Sequence, residues 1–212
     1  MTKKQTDPAP RTRLTPAAVV DEALRLLDAS GLEAVTTRAV ADRIGVRMNT
    51  VLWHVKTKTR LLELMADAVA GTIGYEGLPE DAGERARELM RRYRRSLLAH
   101  RDGAALVAGT YAPDPHTLRF ADTLVGTLAD HEATGDTAAW TLYALVYFTL
   151  GLTQEEQAAG RADEHRLREA VASGPYPALA ATLDTLTSHT FDARFEDGIT
   201  RILGGGTGSG RP

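Results

Sequence analysis

The chain has 212 residues, 43% hydrophobic and 25% charged, with no cysteine and a net charge of −3. That length allows one larger or two smaller domains with a sizeable buried core. The missing cysteines exclude disulfides, thiolate metal sites and a cysteine nucleophile, which fits a cytoplasmic protein without requiring one. No apolar run is long enough to span a bilayer, and the basic start MTKKQTDPAPRTR lacks the apolar core of a secretory signal.

The net charge hides an asymmetry. Residues 1–60 hold 11 Lys or Arg against 6 Asp or Glu, and residues 61–212 hold 14 against 22. A basic end on an acidic body suits a protein that presents one end to phosphates. Chance segregation of solvated charge gives the same numbers.

Residues 1–13 are polar and carry Pro8 and Pro10, so a flexible arm is expected there; its Lys3, Lys4, Arg11 and Arg13 are either a basic arm near DNA or solvated charge. Thr15-Pro16 is a helix start, with Thr as cap and Pro in the first turn. Val20, Ala23, Leu24 and Leu27 form its apolar stripe and Gly31 closes it. From Val35 to Lys58 the chain reads as two short helices and a tight turn. Thr36 and Thr37 offer cap hydroxyls. Val40, Ala41 and Ile44 share a face, and Gly45 can take the left-handed turn. Val51 and Val55 face inward on the second helix, leaving Arg47, Met48, Asn49, Thr50, Leu52, Trp53 and His54 for other surfaces. This is the pattern of a helix-turn-helix, whose second helix lies in the DNA major groove.

Thr57 caps a fourth helix whose first turn holds Lys58 and Arg60. Cations are unfavourable at the positive end of a helix. A bound phosphate would reverse that balance, so both are expected at the DNA backbone; a screened, exposed terminus is the plainer reading. A Gly- and Pro-rich loop follows at 74–83, then a helix at 84–99 whose Arg91, Arg92, Arg94 and Arg95 are expected on a solvated face, pairing with Glu84 and Glu88. Asp102-Gly103 breaks that helix. A short apolar helix, another at about 116–131 and a long one at about 136–158 come next. The long one is apolar nearly all round and must be covered on more than one side. The charged stretch 159–177 reads as a mobile connection, helices follow at 177–188 and 191–203, and GGGTGSGRP reads as a flexible tail.

TTR at 36–38, AxxIGV at 41–46 and NTVLWHVKTK at 49–58 resemble the DNA-binding domain of the tetracycline-repressor (TetR) family. LLAHRDGA at 97–104, GT at 109–110 and LYALVYFTLG at 142–151, followed by Glu155, Glu156 and Gln157, resemble that family's ligand-binding domain in its tetracycline-repressor-like subgroup. The resemblance implies an all-α protein with an N-terminal helix-turn-helix domain at 14–60 and a larger helical ligand-binding and dimerisation domain at 61–203, between the arm at 1–13 and the tail at 204–212. It also implies a homodimer joined through the 136–158 and 191–203 helices, reading a palindromic double-stranded operator.

By the same resemblance Thr37, Thr50 and Lys58 take phosphate-contact positions, Arg38 a base-reading position, and Trp53 and His54 the backbone and groove edge. Arg47, Met48, Asn49 and Leu52 depart from the tetracycline repressor at specifying positions, so a different operator is expected. Ligand-contact positions fall at Leu89, Tyr93, Val107, Thr110, Thr123, Tyr147 and Glu155, and also at Gly74. Val107 stands where the tetracycline repressor has its magnesium-binding histidine, and Glu155 alone is a poor magnesium site. The expected effector is therefore an uncharged or weakly polar small molecule, not magnesium-tetracycline, with no metal or cofactor. Tyr93 and Tyr147 equally suit ordinary core packing.

No histidine lies at metal-ligand spacing, and there is no G-x-S-x-G and no P-loop, so no enzyme is expected. The expectation is a ligand-responsive dimeric repressor released by an inducer, with no membrane partner. A DNA-binding dimer acting without a ligand, or as an activator, is the alternative.

Overall fold

The computed structural model describes residues 14–110, 113–131, 135–158 and 164–204. The expected basic arm at 1–13, and the tail beyond residue 204, lie outside the described residues. Among the described residues the chain forms eleven α-helices and no strand. None of these helices is long and apolar enough to cross a membrane.

Helices α1 (Pro16–Ser30), α2 (Thr37–Ile44) and α3 (Met48–Val55) form the N-terminal unit. Each boundary has a local cause. Thr15 accepts a hydrogen bond from the Ala18 N–H, and Gly31 ends α1 at φ 83°, its N–H donating to the Leu27 carbonyl. Thr36 accepts from the Ala39 N–H, a cap that stabilises by about 1 kcal/mol. Gly45 takes the left-handed conformation (φ 77°, ψ 34°) and turns the chain between α2 and α3. Val20, Leu27, Val40, Val51 and Val55 bury their side chains together, each contributing about 1.5–3 kcal/mol.

Helix α4 (Lys58–Gly71) packs on both parts of the chain. It touches α1 and α3 on one side and α6 (Gly103–Ala108) and α7 (Pro115–His131) on the other. Helix α5 (Ala82–Leu98) starts two residues before the expected 84, because Asp81 caps it by accepting from the Glu84 N–H. Helix α8 (Gly135–Ala158) packs against α5, α6, α7 and α11 (Phe191–Gly204).

Two expectations need correction. The stretch 159–177 is not simply a connection: it contains α9 (Glu164–Ser173), which pairs with α10 (Pro177–Ser188). Val171 is buried between them, and Arg168 donates to Asp184 at 2.9 Å and to the Thr187 hydroxyl. The charged composition concealed a helix with a single buried anchor.

The cluster Arg91, Arg92, Arg94 and Arg95 of α5 is not one solvated face. Arg92 and Arg95 do pair with Glu88, at 2.8 and 3.1 Å. Arg91 reaches Glu88 only at 3.9 Å and grips Glu196 on α11 at 2.7 Å. Arg94 is buried, and it donates to Glu156 on α8 at 2.7 Å and to Asp192 on α11 at 2.6 Å. Its guanidinium also lies 5.0 Å from the Phe195 ring centre. These partners are remote in sequence, so helical spacing alone cannot reveal them.

Candidate DNA-binding face and ligand cavity

The outer face of α3 is built by what its inner face must bury. Val51 and Val55 are fully enclosed, which turns Met48, Asn49, Thr50 and Trp53 outward. Trp53 is 68% exposed and Met48 42%, unusual for large apolar side chains unless they meet a partner. Leu52 and His54 are half-buried at the edges of the face. Trp53 and His54 meet edge-on at 4.8 Å.

Arg47 occupies the cap position of α3 and makes no side-chain cap bond; the Thr50 N–H donates to the Arg47 carbonyl at 2.8 Å, and the Met48 and Asn49 N–H groups stay open to an acceptor. Thr37 and Arg38 sit in the first turn of α2 and Lys58 in the first turn of α4. Arg38, Arg47 and Lys58 are exposed and make no ion pair among the described residues.

Two residues behave otherwise than the sequence suggested. Arg60, expected beside Lys58 at the DNA backbone, turns into the protein. Its guanidinium grips Asp114 with two bonds of 2.6 Å and Glu63 with one of 3.0 Å. Lys56 was not foreseen at this face. It adopts a positive φ of 65°, donates to the Trp53 carbonyl at 2.9 Å and lies 5.7 Å from the Trp53 ring.

The cavity lies behind α4. It has a volume of about 520 Å³ and draws its walls from α4, α5, α6, α7 and α8. Tyr93 and Phe120 stack at 4.6 Å on one side, and Tyr143 and Tyr147 stack at 5.6 Å on another. Burial pushes the Tyr93 phenol pKa up, well above its usual value.

Of the anticipated ligand positions, Tyr93, Val107, Thr110 and Tyr147 line this cavity. Leu89, Thr123 and Glu155 are not among its lining residues. Leu89 is fully buried in the core, one turn before Tyr93. Thr123 returns its hydroxyl to the Arg119 carbonyl at 2.8 Å, and Glu155 is exposed on the last turns of α8. Gly74 lies outside as well, where its carbonyl accepts from Arg92. Sequence reasoning missed Glu63, Phe120, Leu142, Tyr143, Val146 and Leu150. A signal existed for Glu63: it shares a helical face with Ala66 and Ala70, an acid on a strip of small residues.

Short polar links tie the cavity walls to the DNA-binding unit. The Arg60–Asp114 pair joins α4 to the loop before α7. Asp67 on α4 accepts from the Thr117 N–H at 2.8 Å and from its hydroxyl at 3.0 Å. The turn between α5 and α6 reaches the end of α1. Asp28 accepts from the Arg101 N–H at 3.1 Å and lies 3.1 Å from His100 Nδ1, and Asp102 accepts from the Leu32 N–H at 2.9 Å. Gln157 holds that turn from α8, accepting from the Ala104 N–H and donating to the Leu97 and His100 carbonyls. Among the described residues no cluster of three or more His, Cys, Asp or Glu is placed to hold a metal ion.

Comparison with known proteins agrees with this geometry over both halves. The family described as bacterial regulatory proteins, tetR family, matches residues 19–65. The tetracyclin repressor-like C-terminal domain matches residues 78–206, more than half of the chain. The class C tetracycline repressor protein of Escherichia coli is 34% identical over 199 residues, covering 91% of this chain and 90% of its own. A possible TetR family transcriptional regulator from Streptomyces coelicolor A3(2) superimposes with a TM-score of 0.78 at 46% identity, over 90% of this chain and 97% of that one. ActR from Streptomyces coelicolor, solved in complex with actinorhodin, gives a TM-score of 0.84 at 28% identity, over 94% and 100%. With a helix-turn-helix at one end and a matching ligand-domain fold over the rest, the chain belongs to the TetR family of bacterial transcriptional regulators, in its tetracycline-repressor-like branch.

Proposed function

We propose that this protein is a homodimeric repressor that binds a palindromic operator and is released by a small-molecule inducer. The observation that carries this reading is the placement of α4. Its first turn stands at the DNA-binding face, beside α3, and its middle forms a wall of the cavity. Occupancy of the cavity can then bias the position of the recognition helices through its differential affinity for two arrangements.

In this reading residues 14–60 form the DNA-binding domain and residues 61–203 the ligand-binding and dimerisation domain. Thr37, Thr50 and Lys58 contact phosphates, and Arg38 grips a guanine edge. Arg47, Met48, Asn49 and Leu52 set the operator preference, with Trp53 and His54 at the groove edge. Helices α8 and α11 pair with their copies across a two-fold axis. Trp140, exposed by 74% in the single chain and not among the cavity-lining residues, supports an α8 that meets a second copy.

The inducer sits against Tyr93, Val107, Thr110 and Tyr147. Magnesium-tetracycline does not fit: the apolar Val107 stands in the wall, and Glu155 is exposed and is not among the lining residues. ActR, similar in fold and solved in complex with actinorhodin, supports an organic ligand.

The test is binding of the purified protein to a library of genomic DNA fragments with salt titrated upward. One palindromic site retained near physiological salt is the expected result. Weak binding that disappears with salt would mean a nonspecific electrostatic patch, and would overturn the reading.

A further inference from the structure

The cavity wall carries one negative charge more than the protein neutralises. Among the lining residues only Glu63 bears a full charge. Its neighbour Arg60 is committed mainly to Asp114, with two bonds of 2.6 Å, and gives Glu63 a single bond of 3.0 Å to one carboxylate oxygen. Two carboxylates thus share one guanidinium. The second oxygen of Glu63 makes no hydrogen bond among the described residues. The Glu63 side chain is 24% exposed, on the same helical face as Ala66 and Ala70, which also line the cavity.

A second observation points the same way. Tyr93 lines the cavity and is only 4% exposed, and its hydroxyl makes no hydrogen bond among the described residues. The hydroxyl is not enclosed by protein, so it is open to the cavity and free to meet a ligand oxygen. The stacked pairs Tyr93–Phe120 and Tyr143–Tyr147 offer aromatic faces, which hold apolar rings and attract cations.

We propose that the inducer is a cationic amphiphile: an apolar, ring-bearing molecule whose protonated amine seats on Glu63 and whose oxygen meets the Tyr93 hydroxyl. The proposal rests on the cavity being the effector site, and it replaces the uncharged ligand expected from sequence. A neutral molecule would cover a carboxylate that shares its only guanidinium with Asp114 without compensating it further, and an anion would add to the negative charge. An ammonium group neutralises it and completes the open oxygen of Glu63.

The test uses the full-length protein and three probes that share a pyrene body: 1-pyrenylmethylamine, 1-pyrenylmethanol and 1-pyrenecarboxylate. Each is titrated at neutral pH and followed by pyrene emission. The amine is expected to bind about tenfold tighter than the alcohol, the scale of one charge-assisted hydrogen bond, and the carboxylate weakest. Glu63→Gln is expected to bring the amine down to the level of the alcohol measured on the same variant. Tyr93→Phe is expected to keep the amine tighter than the alcohol, and to weaken the alcohol if its oxygen meets the Tyr93 hydroxyl, which separates the charge effect from a general loss of the cavity. Equal binding of amine and alcohol, or a ratio that survives Glu63→Gln, overturns the proposal. Failure of all three probes to bind overturns the cavity as effector site, and the proposal with it; the alcohol reports that failure separately.

Discussion

The pair between Arg60 and Asp114 is the most direct tie between the helix that leaves the DNA-binding face and the loop that closes the cavity. Its worth can be worked from the geometry. Two parallel bonds of 2.6 Å make it bidentate, and charge-assisted bonds of this type contribute about 1.5–3 kcal/mol when shielded. Shielding is uneven here: Asp114 is 11% exposed at its side chain and Arg60 is 38%. Solvent screening at the arginine lowers the expectation towards the range of exposed pairs, so a coupling of about 1–2 kcal/mol is expected. The assay is a double-mutant cycle of Arg60→Gln, Asp114→Asn and the double variant, by urea unfolding at neutral pH. Arg60→Gln also removes the bond to Glu63, and the cycle cancels that shared loss. A coupling below about 0.3 kcal/mol would show that the pair is screened like an ordinary surface ion pair, and α4 would then have to be held to the cavity by packing and Asp67 alone.

The same pair sets a pH dependence. The Arg60 hydrogen bond holds the Asp114 carboxyl below its usual range, so its stabilisation is fully present above about pH 4 and is lost as pH falls further; the free energy of unfolding should fall less steeply on acidification below about pH 4 in Asp114→Asn than in the unaltered protein. Arg38→Ala is expected to weaken specific operator binding by about 1–3 kcal/mol, whereas Lys58→Ala should weaken all DNA sequences alike and reduce the salt slope by about one; footprint titrations at several salt concentrations distinguish the two. Gly103→Ala should destabilise by about 1–3 kcal/mol in thermal unfolding, because a Cβ there meets the Leu97 carbonyl oxygen and the turn around it is held from both α1 and α8.

The N-terminal helices were legible because their determinants are local. Thr15, Thr36 and Thr57 each cap the helix expected of them, with the acceptor three residues before the donor. Gly31 and Gly45 take the positive φ that their positions in the pattern required. The long helix was legible because apolar residues nearly all round it demanded cover. What escaped was decided by partners far along the chain. Arg60 and Asp114 are 54 positions apart, and Arg94 and Asp192 are 98 apart. Nothing near Arg60 distinguishes it from Lys58, two positions before it at the start of α4, yet one turns inward to two carboxylates and the other stays exposed without an ion pair.

The cavity shows the same limit from the other side. Tyr93, Val107, Thr110 and Tyr147 were placed by resemblance and do line it, but resemblance transfers positions, not charge balance. The position of Glu63 had a signal in the sequence, but its charge balance could be found only by following Arg60, because it depends on how much of that guanidinium Asp114 consumes. Were Asp114 absent, Arg60 and Glu63 would form a neutral i, i+3 pair at the cavity edge, and the wall would favour no charge. With Asp114 present the wall is left with an excess carboxylate. The selectivity of the cavity is thus set partly by a residue that does not line it, which is why Asp114→Asn should reduce the preference of the cavity for pyrenylmethylamine over pyrenylmethanol even though no atom of Asp114 is part of its wall.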